Sequence, residues 1–317
     1  MASLKDLRDR IASVKATQKI TKAMQMVAAA KLRRAQAAAV AARPYAARLE
    51  DMLFDVSAGV TEADMPLLMR GRGRDKVQLA VICTADRGLC GGFNTQIIRH
   101  ARAFLRARRS EGKQLKIITI GKKGAEMLKR EFGSLFIDTI EASRCNSAGK
   151  AVDFDQVRLI AEALVQRYEQ QEFDTATLFY SEFVSVINQQ PQDRPLLPCR
   201  YDSGQSADTS PARPPAATSP ATVATAAGSR RSPGFYEYEP EAADVLAELA
   251  VRSLTARLFH AVLENAAGEM GAKMTAMDNA ARNAGTMINS LSVTYNRRRQ
   301  ARITTELIEI IAGAEAL

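Results

Sequence analysis

Residues 84–94 read TADRGLCGGFN, a glycine-rich turn between an apolar run and a helix-forming stretch. Backbone N–H groups at such a turn can cradle a phosphate at the start of the following helix. The spacing is not G-x-G-x-x-G, and no GK[ST] follows, so the specific tests for a dinucleotide or phosphate loop fail. A tight turn or a contact loop is the expectation instead. GKKG at 121–124 and SAGK at 147–150 suggest phosphate in the same superficial way. The first reads as another strand-to-helix turn and the second as a loop. Cys83, Cys90, Cys145 and Cys199 share no metal-ligand spacing, and His100 and His260 are the only histidines. Four reduced thiols are expected rather than a zinc site. No nucleophile, acid and base converge in sequence, so no catalytic residue, cofactor or metal ligand is assigned.

Composition narrows the partners. The chain has 317 residues, 46% of them hydrophobic and 25% charged, with a formal net charge of +9. A folded, soluble protein with an acidic partner is expected. The excess is local: residues 1–50 carry five Lys and six Arg against Asp6, Asp9 and Glu50. Tryptophan is absent and aromatics are 6%, which disfavours the stacking platforms of single-strand and RNA binders. Duplex binding through phosphates alone stays open. No run of eighteen apolar residues suggests a membrane span, and MASLKDLRDR resembles neither a signal nor a transit peptide.

These residues need elements to hold them. From Ala2 to Arg43, before Pro44, nothing breaks a helix, and helix-favouring composition resumes through RLEDMLFDVSAG. A helical segment over 1–57 follows, too long for the interior of a small domain. Residues 241–312 contain no proline. Leu246, Leu249, Leu254, Leu258, Val262, Ala266, Met270, Met274, Met277, Ala281, Ala284, Ile288, Leu291 and Tyr295 recur there at helical spacing. That is a coiled-coil seam over a C-terminal helix, 241–317.

Between them, KVQLAVIC, LKIITI and TATLFYSEFVSVI read as strands, with helices expected in FNTQIIRHARAFLRARR, KGAEMLKREF and DFDQVRLIAEALVQRYEQQ. The last is expected to be capped by Asp153 or Asp155. The fold class is therefore α/β: a Rossmann-like domain over 75–200 with a mainly parallel sheet, plus a long antiparallel coiled coil of the N- and C-terminal helices. Residues 203–233, rich in Ala, Pro, Ser and Thr, are expected to be a disordered insertion.

On the first helix, Ile20, Met24, Val27, Lys31 and Arg34 share one stripe at 3.6 residues per turn, and Leu4, Leu7, Ile11 and Val14 share another. Both sides therefore want partners. The Ile20, Met24 and Val27 side is expected to pair with the C-terminal helix. The change to Lys31 and Arg34 would mark a handover to other proteins.

LKDLRDRIASVKATQKITKAMQMVAAAKLRRAQ, TADRGLCGGFN and the final stretch from ENAAGEMGAKMTAMDNAARNAGT to the C-terminus together resemble the gamma subunit of F-type ATP synthases. The likeness covers both termini and the central domain. It implies a non-catalytic rotor shaft of the central stalk, inside a ring of alpha and beta subunits, its foot on the epsilon subunit and the c-subunit ring. It further implies a peripheral position on the cytoplasmic side of a bacterial inner membrane, in a hetero-oligomer that couples proton flow to ATP synthesis, with no nucleic acid. The matching positions for contact with the beta lever are Lys19, Lys22, Met24 and Cys90. Those for the upper contact are Arg299, Gln300, Thr304 and Glu306. The last fifteen residues resemble the tip in the ring's apolar bearing. Two other classes compete: a basic coiled-coil protein binding nucleic acid through phosphates, and an enzyme using the α/β domain for a nucleotide.

Overall fold

The structure, a computed structural model, describes residues 3–57, 59–61, 63–145, 152–199, 239 and 241–315. The stretches read above as SAGK and as the insertion at 203–233 lie outside the described residues.

Two helices dominate: α1 (Leu4–Ser57) and α6 (Ala242–Glu315). At about 1.5 Å per residue they measure roughly 80 and 110 Å. Three side-chain bonds fix them antiparallel. Arg8 donates to the Tyr295 hydroxyl (3.1 Å), Gln18 to the Ala281 carbonyl (3.3 Å) and Gln25 to the Asp278 carboxylate (3.0 Å). On α6 each expected seam position from Leu246 to Tyr295 is buried or half-buried.

On α1 the seam is not the one expected. Ile20 is 60% exposed and Val27 57%, and Lys31 and Arg34 also face outward. The residues turned to α6 are Leu4, Leu7, Ile11, Val14, Gln18, Thr21, Gln25 and Ala28, then Leu32, Ala35, Ala39, Ala42, Ala46, Leu49, Leu53 and Val56. Their steps alternate three and four without a break, a heptad frame over the whole helix. Projection on a straight helix drifts by about 20° per heptad against that frame. The drift, with polar Gln18, Thr21 and Gln25 in mid-seam, made the neighbouring apolar stripe look like the interface. Pro44 lies within α1 on an exposed face, where seam contacts on either side carry the helix past the missing N–H.

Between the rods run α2 (Leu67–Arg70), β1 (Val77–Cys83), α3 (Phe93–Ser110), β2 (Gln114–Ile120), α4 (Lys122–Phe132), β3 (Phe136–Ile140), α5 (Phe154–Glu169), β4 (Thr175–Phe183) and β5 (Gln189–Leu197). The sheet order is β3-β2-β1-β4-β5, parallel except for antiparallel β5. Of the two candidate caps of α5, Asp153 accepts from the Asp155 N–H at 3.1 Å. β3 and β5, unmarked by the sequence patterns, are the two edges. Pro191 and Pro195 are tolerated in β5 because an edge strand has one unpaired side.

Strand residues alternate between two cores. Leu79, Val81 and Cys83 pack with α5, with Leu49, Leu53 and Val56 of α1, and with Leu246 to Val262 of α6. Ala80 and Ile82 pack with α3 and α4. The base of the coiled coil is thus one layer of the α/β core. Close approach continues above it, since a Cβ on Gly268 would lie 2.9 Å from the Phe93 ring.

Glu264, with a side chain 5% exposed, joins α6 to the sheet. It accepts from the Phe183 N–H (3.0 Å), and its other oxygen lies 3.3 Å from His260 Nε2. Burial pushes the Glu264 carboxyl above its ordinary value of 4.5, against the lowering by the Phe183 N–H and with Glu182 adding to the rise. Burial, helped by Arg194 and Arg43, pushes the His260 imidazole below 6.5. The raised carboxyl stabilises the fold below about pH 4.5, and that contribution fades as pH rises through its native value. The depressed imidazole contributes above about pH 6.5 and loses its share as pH falls through its own.

Urea unfolding of the full chain separates the two α1 stripes. Leu32→Ala is expected to cost about 2–5 kcal/mol, whereas Val27→Ala should stay within about 0.5 kcal/mol. Glu264→Leu orphans the Phe183 N–H and should cost about 1–3 kcal/mol. Glu264→Gln keeps an acceptor for the Phe183 N–H and cannot ionise, so the fall in stability as pH rises from about 4.5 through the native value of Glu264 should flatten.

Candidate surfaces for torque and contact

In open parallel sheets, ligands bind beyond the carboxyl ends of the strands. In this chain that crevice is filled by the protein itself. The Thr84 backbone presses on the α4 start: a Cβ on Gly121, at φ +114°, would lie 2.2 Å from the Thr84 carbonyl oxygen. Thr84 Oγ1 accepts from the Gly124 N–H at 2.9 Å. The GKKG turn needs its glycines for this contact. Asp86 occupies the place an anion would take, accepting from the N–H groups of Lys122 (3.1 Å), Ala142 (2.9 Å) and Ser143 (2.7 Å). α6 closes the crevice with Val262, Asn265, Ala266 and Glu269, leaving a cavity of about 30 Å³. That volume holds about one water, so this crevice among the described residues has no room for a nucleotide.

The TADRGLCGG loop is braced from below as well. Asn94, in the first turn of α3, accepts from the Ala85 N–H (3.0 Å) and donates to Cys90 Sγ (3.3 Å). Cys90 is 2% exposed. Burial, with the Glu269 charge behind it, raises the pKa of its thiol. The thiol is therefore turned into the foot and is not itself a surface group. Exposed in the same loop are Arg87 and Leu89, the latter 63% exposed at φ +65°. A non-glycine residue in the left-handed region stores strain that its surroundings must hold. All four cysteines are free and buried. Among the described residues no group of His, Cys, Asp and Glu is arranged to hold a metal.

Of the other contact positions, Lys19 and Lys22 are exposed on α1 and Met24 is half-buried at the edge of the seam. Arg299, Gln300, Thr304 and Glu306 are exposed on α6. The bonded register puts the start of α1 opposite the turn before Gln300. Beyond it α6 continues as a single helix whose Ile303, Leu307, Ile308, Ile310 and Ile311 are exposed. The Thr304 hydroxyl donates to the Gln300 carbonyl (3.0 Å), and Glu306 is paired with Arg302 (2.7 Å). The two groups of positions thus occupy separate levels of one rod, with the TADRGLCGG loop at its foot. No helix among the described residues is long and apolar enough to cross a membrane.

Residues 3–317 match the model of the ATP synthase family. The ATP synthase gamma chain of Bartonella tribocorum is 56% identical over 319 residues, covering all of both chains. That of a Chelativorans strain is 55% identical over 317 residues, again covering both chains fully. Similar folds occur in cryo-EM structures of mitochondrial ATP synthases. A chain from the Euglena gracilis OSCP/F1/c-ring assembly has a TM-score of 0.64 at 19% identity, over 99% of this chain and 94% of that one. A chain from the Tetrahymena thermophila central stalk and c-ring has a TM-score of 0.56 at 24% identity, over 82% and 99%. The zipped terminal helices, the closed crevice and full-length identity above one half lead to one conclusion: this chain belongs to the ATP synthase family, among its gamma chains.

Proposed function

We propose that this gamma chain works as the rotating, non-catalytic shaft of a proton-driven F-type ATP synthase, coupling a turning c-subunit ring to the alpha and beta catalytic sites. The observation that carries this reading is the shared core. Residues Leu246 to Val262 of α6 belong at once to the coiled coil and to the foot, so a turn applied to the foot passes to the rod through packed side chains. Packed interiors transmit strain because they have little free volume. The domain division follows: rod segments over 1–57 and 241–317, a foot over 75–200, and an insertion over 203–233 with no assigned role.

In this reading the foot meets the epsilon subunit and the c ring, and the assembly sits peripherally on the cytoplasmic face of a bacterial inner membrane. Lys19, Lys22 and Met24 face an acidic beta lever. Individual exposed pairs there are worth about 0–1 kcal/mol, weak enough to be made and broken at each step. Cys90 supports the loop that approaches the same lever, while Arg87 and Leu89 make the contact. Arg299, Gln300, Thr304 and Glu306 form the upper contact, and the exposed isoleucines beyond them form the tip. The nucleic-acid reading has no supporting observation: the basic residues of α1 flank an apolar seam and their outer neighbours include exposed Ile20, Met26 and Val27.

Co-expression with alpha, beta and epsilon subunits should give a co-purifying ATPase assembly. Failure of the chain to co-purify would sink the proposal. In that assembly, Lys19→Glu with Lys22→Glu should lower turnover without loss of assembled complex, the defect shrinking as salt screens the repulsion. Calorimetry on the full chain should show no tight nucleotide binding, and saturable micromolar binding would favour the enzyme reading.

A further inference from the structure

The site where an α/β fold receives an anion is held by the chain's own carboxylate. Asp86 stands third in the TADRGLCGG turn, after buried Thr84 and Ala85. Its two oxygens reach out of that turn to two other segments: the first N–H of α4 at Lys122, and the N–H groups of Ala142 and Ser143 after β3. Three backbone donors on one carboxylate are charge-assisted bonds, individually stronger than neutral ones. One of the three, the Lys122 N–H, opens α4, where negative charge is further favoured. Thr84 and Ala85 are also bonded to α4, through the Gly124 N–H (2.9 Å) and the Lys123 N–H (3.1 Å); past Asp86 the next side-chain fastening is Asn94, which holds Ala85 and Cys90 from inside. Between the two, Arg87 to Gly92 has no regular structure, yet Leu89 is held exposed in the left-handed region. Such a conformation persists only where flanking contacts over-determine it.

We infer that Asp86 is the positioning residue of the beta-contact loop: its carboxylate pins the Arg87–Gly92 segment to α4 and to the 142–143 turn, fixing where Leu89 and Arg87 meet the turning interface. The inference rests on the proposed shaft function, because only there does the loop's aim affect turnover. The same carboxylate engages the Lys122 N–H of the GKKG turn, a donor that a phosphate there would need.

The test uses Asp86→Ala, which removes all three acceptor contacts, and Asp86→Asn, whose amide can still accept through one oxygen. Both are assembled with alpha, beta, epsilon and c-ring partners in membrane vesicles. Amide hydrogen exchange at Lys122, Ala142 and Ser143 should quicken about tenfold or more in the alanine variant and less in the asparagine variant. Proton pumping per ATP hydrolysed should fall by roughly threefold or more in the alanine variant, with partial recovery in the asparagine one. The amount of assembled complex should be unchanged. Unchanged exchange at the three amides, or unchanged pumping per ATP despite faster exchange, would overturn the inference. If neither variant assembles while the unmodified chain does, Asp86 is a folding group and the inference also falls. Should the unmodified chain itself fail to assemble, the shaft function fails first, and exchange on the full chain alone still decides whether the clamp exists.

Discussion

The whole molecule depends on one interface, the heptad seam between α1 and α6. Helices in proteins draw most of their stability from tertiary packing, and for α1 and α6 that packing is the seam. The seam is apolar at both ends and polar in the middle. Gln18, Thr21 and Gln25 occupy inward positions there, and two of them bond directly to α6. Polar groups in a coiled-coil seam fix register at some cost in stability. For a shaft that trade is useful, because a slip of one heptad would displace the tip by about 10 Å at 1.5 Å per residue.

From that seam the other features follow. At its lower end the two helices spread over the sheet and become one wall of its core, so rod and foot are a single packed body rather than two parts in contact. α6 also lies across the carboxyl edge of the strands, and with Thr84 and Asp86 it fills the crevice that other α/β proteins keep open for ligands. At the upper end α1 stops and α6 continues alone with its isoleucines exposed. A lone helix with such a surface is suited to a sleeve of other chains, which is the place proposed for it in the assembled synthase.

Much of this was legible in the sequence, unevenly so. The long helices declared themselves by uninterrupted helix-forming composition, and the α6 seam by Leu, Met and Ala at steps of three and four. The strands buried on both faces stood out as β-branched runs. β5 did not, because its two prolines and polar residues suit an edge and hide the alternation. β3, short and half-exposed, gave a similarly weak signal. The middle of the α1 seam was hidden because interface and apolarity part company there. Counting strict heptads from Leu4 would have found it, since the frame runs unbroken to Val56. Cys90 was legible as a loop residue, while its inward direction depends on Asn94 and α6, which no local pattern reveals. Resemblance supplied what spacing could not: the contact levels proposed for the rod.

The central claim is that the α1–α6 seam stays closed while the outer faces do the work. It can be tested by joining Gln25 and Asp278, which already touch across the seam, through the double change Gln25→Cys with Asp278→Cys in the assembled enzyme. With the disulfide formed and verified, ATP hydrolysis and proton pumping should match the reduced enzyme. Loss of turnover on oxidation, restored by reduction, would show that the helices must move against each other and would contradict the account.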